Sequence, residues 1–205
     1  FTLYINDMHK AFNECLVHHF ADDTNLLFTD SDPWKLQRTV NKALKKLVEW
    51  LCANRLSLNV DKTEFIIFRP PNKSCERITL NLDGKKIFES TNIKYLGLLL
   101  DSRLSWKFHI NELSKKLSRA IGILYKIRAY TSQRIMISLY FAIFHSHLAY
   151  GLPVWGSANN KLINTIVLLQ KKALRVITSA DYNAHTRPIR KETNILSLAD
   201  QRHLQ

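Results

Sequence analysis

The spacing of apolar residues changes near residue 104, and this change limits the fold more than any other feature of the chain. Before it, short apolar runs separated by polar turns alternate with one long helical pattern. After it, apolar residues recur every three or four positions, which is typical of amphipathic helices. We therefore expect an α+β fold in residues 1–104 and an all-helical region in residues 105–205.

A pair of adjacent aspartates lies between two strand-forming runs in LVHHFADDTNLLF, residues 16–28. The pattern predicts a β-hairpin with Ala21, Asp22 and Asp23 at its bend, which places the two carboxylates at an exposed tip. Because aspartate is a favoured turn residue, a purely structural role for the pair stays open.

Further strand signals follow along the first half of the chain. The dipeptide Asp83-Gly84 within ITLNLDGKKIFES predicts a second hairpin. Apolar strands are expected at Glu64–Phe68, which is followed by two prolines, and in IKYLGLLLD, residues 93–101. Gly97 would lie inside that last strand, where a missing side chain often marks the close approach of another backbone.

A long amphipathic helix is predicted between these strands. Ser31 or Asp32 would cap it, and Pro33 suits its first turn. One side is apolar, whereas the other is strongly cationic and carries Lys35, Arg38, Lys42, Lys45 and Lys46. Such a basic face is either ordinary solvated surface or a contact for nucleic acid.

Helical patterns occupy the rest of the chain. The first helix would have Ser105 as its cap and bury Trp106 on its apolar stripe. A second is predicted over residues 131–149 and a third over residues 160–178. Beyond Thr178 the sequence is polar, basic and weakly patterned, and no element is assigned there.

The charge balance points to nucleic acid as the first partner to consider. Thirty Lys and Arg stand against 17 Asp and Glu, for a formal charge of +13, and this imbalance favours attraction to phosphate backbones. Three scattered cysteines without ligand spacing indicate neither a disulfide framework nor a zinc site, and favour an intracellular setting. No apolar run approaches the ~20 residues of a membrane span, so no membrane partner is expected.

Other aromatic and histidine residues favour packing over chemistry. The pairs His18-His19 and His145-x-His147 lack further ligands nearby that would complete a metal site. Core packing rather than base stacking is expected for the four tryptophans, which are Trp34, Trp50, Trp106 and Trp155.

The two adjacent carboxylates need a positive partner. At a few ångströms they repel each other by roughly 1 kcal/mol in water and about 4 kcal/mol at an effective dielectric near 20. A divalent cation held by Asp22 and Asp23 would offset this repulsion, and Mg²⁺ is commonly held by one or two carboxylates together with substrate phosphates. In a basic chain, those phosphates would belong to a nucleotide.

The order and spacing of FADD, NRLSLNVDKTEFIIF and IKYLGLLLD resemble the later part of the palm of reverse transcriptases from non-LTR retrotransposons, most like jockey-type elements. LYINDM is similar to the segment that follows the template-contacting motif in that family. AYGLPVWG and LQKKALRVI resemble its thumb and post-thumb region. The resemblance implies a partial palm in residues 1–104, a helical thumb region in residues 105–205, and RNA-directed DNA polymerisation.

The resemblance also implies roles for the hairpin residues. Asp22 matches a metal ligand of the polymerase site, Asp23 matches its partner carboxylate, and Phe20 matches the aromatic position before the pair. In the complete enzyme, two Mg²⁺ ions would support attack of a DNA primer on a deoxynucleoside triphosphate, directed by an RNA template. Localisation by resemblance is nuclear, since such elements copy themselves at host chromosomal DNA.

Three later residues match further positions of the family. Lys62 matches the lysine that assists departure of pyrophosphate, and a protonated lysine suits that task. Leu96 and Gly97 match the strand that grips the primer, where a missing side chain lets the primer end come close. Without the resemblance, Lys62 is a solvated turn lysine and the other two are ordinary sheet residues.

The family's first catalytic aspartate motif is not found in this sequence, and both ends of the chain look cut. We therefore expect this chain to bind Mg²⁺ weakly or not at all, and not to polymerise by itself. Two other functions stay open: a non-catalytic nucleic-acid-binding module and an inactive relic of an element. The sequence gives no indication of an oligomeric state.

Overall fold

The chain divides into two units, Phe1–Ile93 and Lys94–Gln205, each built around its own hydrophobic core. The computed structural model describes residues 3–12, 14–70 and 78–204. Small two-stranded sheets and one long helix form most of the first unit, and helices dominate the second. This mixture of elements confirms the predicted α+β class.

The first hairpin forms where the sequence predicts it. Strands β1 (Leu16–Phe20) and β2 (Asp23–Leu27) pair antiparallel. Ala21 lies in the turn with a positive φ of 53°, and Asp23 is already the first residue of β2, opposite Phe20. Val17 and Leu26, which pair across the strands, pack against the core of the unit.

Helix α1 (Pro33–Ala53) provides half of the buried residues of that core. Its cap is Asp32, one of the two predicted caps, whose Oδ1 accepts the N–H of Trp34 at 2.9 Å. A 3₁₀ turn at Met8–Ala11 packs against the helix. The buried residues of α1 lie at the predicted spacing of three and four, and are Val40, Ala43, Leu44, Leu47 and Leu51.

Strands β3 (Leu80–Leu82) and β4 (Lys85–Ile87) form the second predicted hairpin. Asp83 and Gly84 make its turn with φ values of 50° and 73°, the backbone that an Asp-Gly turn favours. Asn41 of α1 fixes β3, because its Oδ1 accepts the N–H of Asn81 at 2.8 Å and its Nδ2 donates to the carbonyl of Thr79 at 3.2 Å.

The strand predicted at Glu64–Phe68 is wrong. Phe65 makes only an isolated β-bridge to Glu89, and the segment is tied there by Arg69, whose guanidinium donates to both Glu89 carboxylate oxygens at 2.7 and 2.8 Å. Phe65 packs against the core of the unit. Phe65 is therefore apolar because it contacts the core, whereas Phe68 at the end of the run is 43% exposed. The segment before it, Asn59–Thr63, contains a short 3₁₀ helix, Val60–Lys62.

Strands β5 (Asn92–Tyr95) and β6 (Leu98–Asp101) form the third two-stranded sheet. The single strand predicted across residues 93–101 is therefore wrong, because Leu96 and Gly97 are the turn between two strands. Both residues have positive φ, 45° and 80°. Leucine rarely adopts this conformation, so Gly97 is the one local turn signal in this dipeptide.

Helix α2 (Lys107–Ile127) follows β6 through a loop organised by Asp101. The Asp101 carboxylate accepts the backbone N–H groups of Arg103, Ser105 and Trp106 at 3.1, 3.1 and 3.0 Å. Burial raises the pKa of Asp101, but these hydrogen bonds outweigh the burial and hold the pKa below its usual value. The carboxylate therefore stays ionised and keeps the loop in place.

The residue at the cap of α2 is Trp106, with φ of 63°, and not the predicted Ser105. Ser105 donates its hydroxyl to Asp101 at 3.1 Å and accepts the N–H of Lys107 only at 3.4 Å, because the aspartate already holds it. The predicted apolar stripe is confirmed as buried, and consists of Trp106, Ile110, Leu113, Leu117, Ile121 and Leu124.

The helix predicted over residues 131–149 is present and contains a π-helical turn. Its three consecutive parts are α3 (Gln133–Leu139), the π-helical turn (Tyr140–His145) and α4 (Ser146–Ala149). The wider turn leaves three side chains fully buried in the same core, and these are Tyr140, Phe144 and Leu148.

After Gly151, whose φ is 64°, come the short helix α5 (Leu152–Trp155) and the long helix α6 (Asn160–Ile177). Helix α6 is the third predicted helix, and its cap is Asn159, whose Oδ1 accepts the N–H of Lys161 at 2.9 Å. It packs along α2, so the two longest helices of the second unit form the centre of its core.

Two short helices, α7 (Thr186–Thr193) and α8 (Leu198–Leu204), occupy the region past Thr178 where no element was assigned. The buried residues of α7 are Thr186, Ile189 and Thr193. Their spacing is helical, but two of the three are polar. The hydrophobic pattern therefore does not reveal this helix.

Gln170 of α6 fixes the start of α8. Its Oε1 accepts the N–H of Leu198 at 3.1 Å, and its Nε2 donates to the carbonyl of Leu196 at 3.0 Å. Nε2 also lies 3.3 Å from the hydroxyl of Tyr140, and burial raises the pKa of Tyr140 to about 12, so this hydroxyl stays protonated. One buried amide thus connects three segments of the unit.

We expect Gln170→Leu to lower the free energy of unfolding by about 1–3 kcal/mol, because the buried N–H of Leu198 loses its acceptor. Urea unfolding followed by circular dichroism measures this. Gln133→Leu, at an exposed glutamine of the same unit, is the matched control and should change stability by about 0.5 kcal/mol or less. Equal effects of the two substitutions would contradict the assignment of Gln170 as an anchor.

The tryptophans differ in burial. Trp106 and Trp155 are buried as predicted, and Trp50 is half-buried. Trp34 is 57% exposed, so core packing is wrong for it. It lies in the first turn of α1, before the first buried residue of that helix. No helix within the described ranges is long and apolar enough to cross a membrane.

Candidate functional site

The two aspartates lie at the exposed end of the first hairpin, Asp22 in the turn and Asp23 at the start of β2. Among the residues that the structure describes, neither carboxylate has a hydrogen-bond or ion-pair partner. Phe20, directly opposite Asp23, is 61% exposed. The tip therefore presents two unneutralised carboxylates and an aromatic ring to solvent.

His19 steadies the strands behind the tip. Its Nδ1 lies 3.1 Å from the Thr24 hydroxyl, on the residue that pairs with it across the strands. Its Nε2 is buried without a hydrogen-bond partner in the described part of the chain. The hydrogen bond links β1 to β2 immediately before the turn that carries Asp22.

The donor set at the tip suits a hard divalent cation only in part. Within residues 3–12, 14–70 and 78–204, no three His, Cys, Asp or Glu side chains are grouped so that they could hold a metal ion. Two carboxylates nevertheless match the one or two that Mg²⁺ commonly takes from a protein. The remaining ligands of such an ion would be water, phosphate oxygens or a carboxylate from elsewhere.

Lys62 ends the short 3₁₀ helix Val60–Lys62 that precedes the Phe65 bridge. Asn59 caps this turn, because its Oδ1 accepts the N–H of Lys62 at 3.3 Å, and Thr63 donates its hydroxyl to the Asn59 carbonyl at 3.0 Å. The Lys62 side chain is exposed. Within the described ranges it forms no ion pair, either with the hairpin aspartates or with another acid.

The cationic face of α1 is present, but acids neutralise part of it. Lys46, whose side chain is only 34% exposed, lies 2.8 Å from Glu14, and Lys42 lies 3.8 Å from the same carboxylate. Lys35 lies 3.1 Å from Asp30. The other two predicted residues, Arg38 and Lys45, are exposed and have no ion-pair partner among the described residues.

The Leu96–Gly97 turn lies in the second unit and contacts Tyr150, at the end of α4. The Tyr150 hydroxyl donates to the carbonyl of Leu96 at 2.5 Å. A Cβ added to Gly97 would lie 3.2 Å from Cε1 of the tyrosine ring. The missing side chain of Gly97 therefore permits the close approach of another group, as predicted. That group is the Tyr150 side chain of the same unit and not a backbone.

His109 of α2 supports strand β6, which follows the Leu96–Gly97 turn. Its Nδ1 accepts the N–H of Leu99 in β6 at 3.4 Å, so the ring is neutral with its proton on Nε2. The ring lies beside the indoles of Trp106 and Trp155. Burial and, secondly, the charge of Lys116 lower the pKa of His109.

We expect the second unit to lose stability as the pH falls below the usual histidine pKa of 6.5. The folded pKa is lowered, so the unfolded chain binds more protons in this range and stability rises with pH. His145, whose pKa burial also lowers, adds to the same trend. His109→Gln should reduce the difference in urea midpoint between pH 7.5 and pH 5.5, as unfolding curves at the two pH values would show.

The control for this prediction is His147→Gln, at an exposed histidine of α4. The same difference in urea midpoint should persist in this variant. If His109→Gln leaves the pH dependence as large as in the wild type, the buried neutral ring is not its source.

Sequence reasoning missed Tyr150 and His109. Both act on the β5–β6 hairpin through contacts between residues far apart in the chain. A tyrosine followed by a glycine in AYGLPVWG was a visible signal, because Gly151 adopts the positive φ that ends the helical segment.

Comparison with known proteins gives the family. Residues 1–100 match the family model described as reverse transcriptase (RNA-dependent DNA polymerase), and enzymes of this family generally use a divalent metal. No solved structure matches this chain at a significant level.

Curated relatives extend the match over most of the chain. The RNA-directed DNA polymerase from mobile element jockey of Drosophila melanogaster is 28% identical over 192 residues, which are 92% of this chain and 21% of that protein. The corresponding Drosophila funebris polymerase is 27% identical over 93% of this chain and 21% of its own length. A probable RNA-directed DNA polymerase from transposon X-element of D. melanogaster is 21% identical over 98% of this chain. The chain thus spans about a fifth of the length of such relatives, and the matches support its assignment to the reverse transcriptases of non-LTR retrotransposons.

Proposed function

We propose that this chain is part of an RNA-directed DNA polymerase that extends a DNA primer with deoxynucleoside triphosphates on an RNA template. The observation that carries this proposal is the exposed, unneutralised pair Asp22 and Asp23 at a hairpin tip, inside the segment that matches reverse transcriptases. Residues 1–104 would form part of the palm and residues 105–205 the thumb and post-thumb region. A nuclear location follows from copying at chromosomal DNA.

The carboxylates and Lys62 would have different tasks. Asp22 would be a direct ligand of a metal ion and Asp23 its partner carboxylate, with a further aspartate supplied from outside the described residues. When bound, two Mg²⁺ ions stabilise the entering and leaving oxygens of an in-line displacement at the α-phosphate. The exposed ammonium of Lys62 would donate a proton to the departing pyrophosphate. Phe20, exposed opposite Asp23, would contact the nucleotide or template beside them.

The experiment is a chimera. Residues 1–205 replace the aligned segment of the D. melanogaster jockey polymerase, so that the relative supplies the rest of the enzyme. Extension of a DNA primer on an RNA template is measured with and without Mg²⁺. We expect Mg²⁺-dependent synthesis. A folded chimera that binds the primer–template but does not extend it would contradict the proposal.

A second function, nucleic-acid binding without catalysis, is favoured by one observation: a net charge of +13 with an exposed basic stripe on α1. The stripe residues lie at helical spacing and are Lys35, Arg38, Lys42 and Lys45. Lys46 is less suited to this role, since it is partly buried against Glu14. In this case the chain would bind nucleic acid whether or not Asp22 is intact.

We expect the double substitution Arg38→Gln and Lys45→Gln to weaken duplex binding by this chain. It should also reduce the slope of log affinity against log salt by about 1–2, because each lost phosphate contact is worth about 0.9 in slope on duplex DNA. Fluorescence anisotropy at several salt concentrations measures the slope. The matched control is Lys85→Gln with Lys86→Gln on β4, which removes the same charge from the same unit. If both double variants reduce the slope equally, binding depends on net charge alone and the stripe on α1 is not a specific contact.

A further inference from the structure

The Leu96–Gly97 turn holds a backbone conformation that its own sequence does not favour. Leu96 has φ of 45°, a region in which a residue other than glycine is strained because its Cβ lies too close to the backbone. Such strain persists only where the surroundings stabilise it. The hydrogen bond from the Tyr150 hydroxyl to the Leu96 carbonyl is that stabilising contact, and the tyrosine ring supports Gly97 beside it.

Tyr150 is itself held by a second set of contacts. The indole Nε1 of Trp155, a fully buried residue, donates to the Tyr150 carbonyl at 2.8 Å. Gly151 next to it has φ of 64°, and a Cβ there would lie 2.8 Å from Cδ2 of Leu98, the first residue of β6. The backbone of residues 150–151 is therefore fitted against the hairpin, and the tyrosine ring is directed at the turn.

The Tyr150 side chain is not part of the buried core of the unit. It is 56% exposed, and its hydroxyl engages the Leu96 carbonyl, an acceptor oxygen that would otherwise repel a phosphate. Lys94, on β5 two residues before the turn, is exposed. With the Leu96 oxygen engaged, the hairpin end has one fewer free acceptor close to an exposed cation, and cations are among the groups that contact a nucleic-acid backbone.

We propose that Tyr150 is a positioning residue for the primer end: it fixes the Leu96–Gly97 turn in one conformation, and the turn then contacts the primer backbone. This inference rests on the proposed function and on the resemblance by which Leu96 and Gly97 match the strand that grips the primer. Tyr150 acts through the turn and does not touch the reacting atoms. Its hydroxyl is the group that matters, because the ring alone supports Gly97 without restraining the Leu96 carbonyl.

The test uses the 205-residue chain with Tyr150→Phe, which removes only the hydroxyl. The matched control is Tyr130→Phe, at a tyrosine of the same unit that is 88% exposed. Affinity is measured for a DNA primer with a recessed 3′ end on an RNA template, and for a blunt hybrid duplex of the same number of phosphates. Hydrogen exchange of amides 94–101 is measured in parallel, so that release of the turn is observed directly.

We expect the wild type and Tyr130→Phe to prefer the recessed end. In Tyr150→Phe, the ratio of the two affinities should fall about 2- to 10-fold, which is the effect of one hydrogen bond. Its affinity for the blunt duplex should not change. Hydrogen exchange should become faster only at residues 94–101. If the wild type prefers the recessed end and Tyr150→Phe keeps that preference in full, the inference is overturned and the proposed function stands. If the wild type itself shows no preference, the primer contact at this turn is wrong, and the inference falls with it.

A second variant covers the case in which Tyr150→Phe disturbs more than the turn. Gly97→Ala strains the turn at a φ of 80° and places a Cβ 3.2 Å from the Tyr150 ring, so it disturbs the fit between turn and ring in a chain that keeps the tyrosine hydroxyl. It should reduce the preference for the recessed end as Tyr150→Phe does. A normal preference in Gly97→Ala would show that the position of the turn does not control the primer end, and would overturn the inference.

Discussion

Substitution of Asp22 by asparagine should reduce primer extension by the chimeric polymerase about 100-fold or more. Asparagine keeps the size of the side chain but removes the charge that would hold the metal, and the metal is worth several kcal/mol of charge stabilisation in the transition state. Each 1.36 kcal/mol corresponds to a tenfold change in rate. Binding of the primer–template should not weaken, because the substitution removes a negative charge near a polyanion.

The matched control is Asp83→Asn. Asp83 is also an exposed aspartate in a hairpin turn of the first unit, with φ of 50°, a conformation that asparagine tolerates well. It should leave extension unchanged. Comparable activity in Asp22→Asn and Asp83→Asn would show that Asp22 is only a turn residue and has no role in catalysis. A loss in Asp23→Asn smaller than in Asp22→Asn would fit the assignment of Asp23 as the partner carboxylate.

Substitution of Trp155 by alanine should lower the free energy of unfolding of the second unit by about 3–5 kcal/mol, the usual loss when a fully buried aromatic residue is truncated. The indole is fully buried, packs beside His109 and donates to the Tyr150 carbonyl. The loss is a large part of the roughly 5–15 kcal/mol that stabilises a typical domain. Urea unfolding followed by far-UV circular dichroism measures it.

Trp34→Ala provides the control, because Trp34 is 57% exposed. It should change stability by less than about 1 kcal/mol. Trp155→Phe separates the two contributions of the indole, since phenylalanine keeps most of the apolar volume and loses the donor to Tyr150. If Trp155→Ala costs no more than Trp34→Ala, the burial of Trp155 does not stabilise the second unit.

Predictions from the sequence were most accurate for turns and helix starts that neighbouring residues determine. Asp83-Gly84 marks its own turn, because both residues readily adopt positive φ, and Asp32-Pro33 marks the start of α1. The turn at Leu96–Gly97 escaped prediction, since leucine does not favour its conformation and the stabilising hydroxyl comes from Tyr150, 54 positions later. Contacts of this kind depend on tertiary structure and leave no pattern in a short window.

Errors of a second kind came from using apolarity as a sign of one particular element. In the run at Glu64–Phe68, Phe65 packs against the core and forms an isolated β-bridge, but no strand forms there among the described residues. Helix α7 shows the converse, because its buried side contains two threonines and so has no apolar stripe. At the candidate site, the sequence located the acidic pair and its exposure, but the pairing of Lys42 and Lys46 with Glu14 required coordinates.

The π-helical turn at Tyr140–His145 determines how the helical segment would respond to a change in its length. A π-helical turn is an α-helix that accommodates one extra residue, and its Ser146 N–H reaches back five positions to Phe141. Deleting one residue inside the turn would restore ordinary α-helix and leave the residues after it close to their present orientation. Deleting one residue from the α-helical parts before or after the turn would instead rotate everything that follows by about 100°, which would turn Tyr150 away from Leu96. The contact between Tyr150 and Leu96 should therefore survive the loss of one residue within Tyr140–His145 and not in the neighbouring α-helical parts.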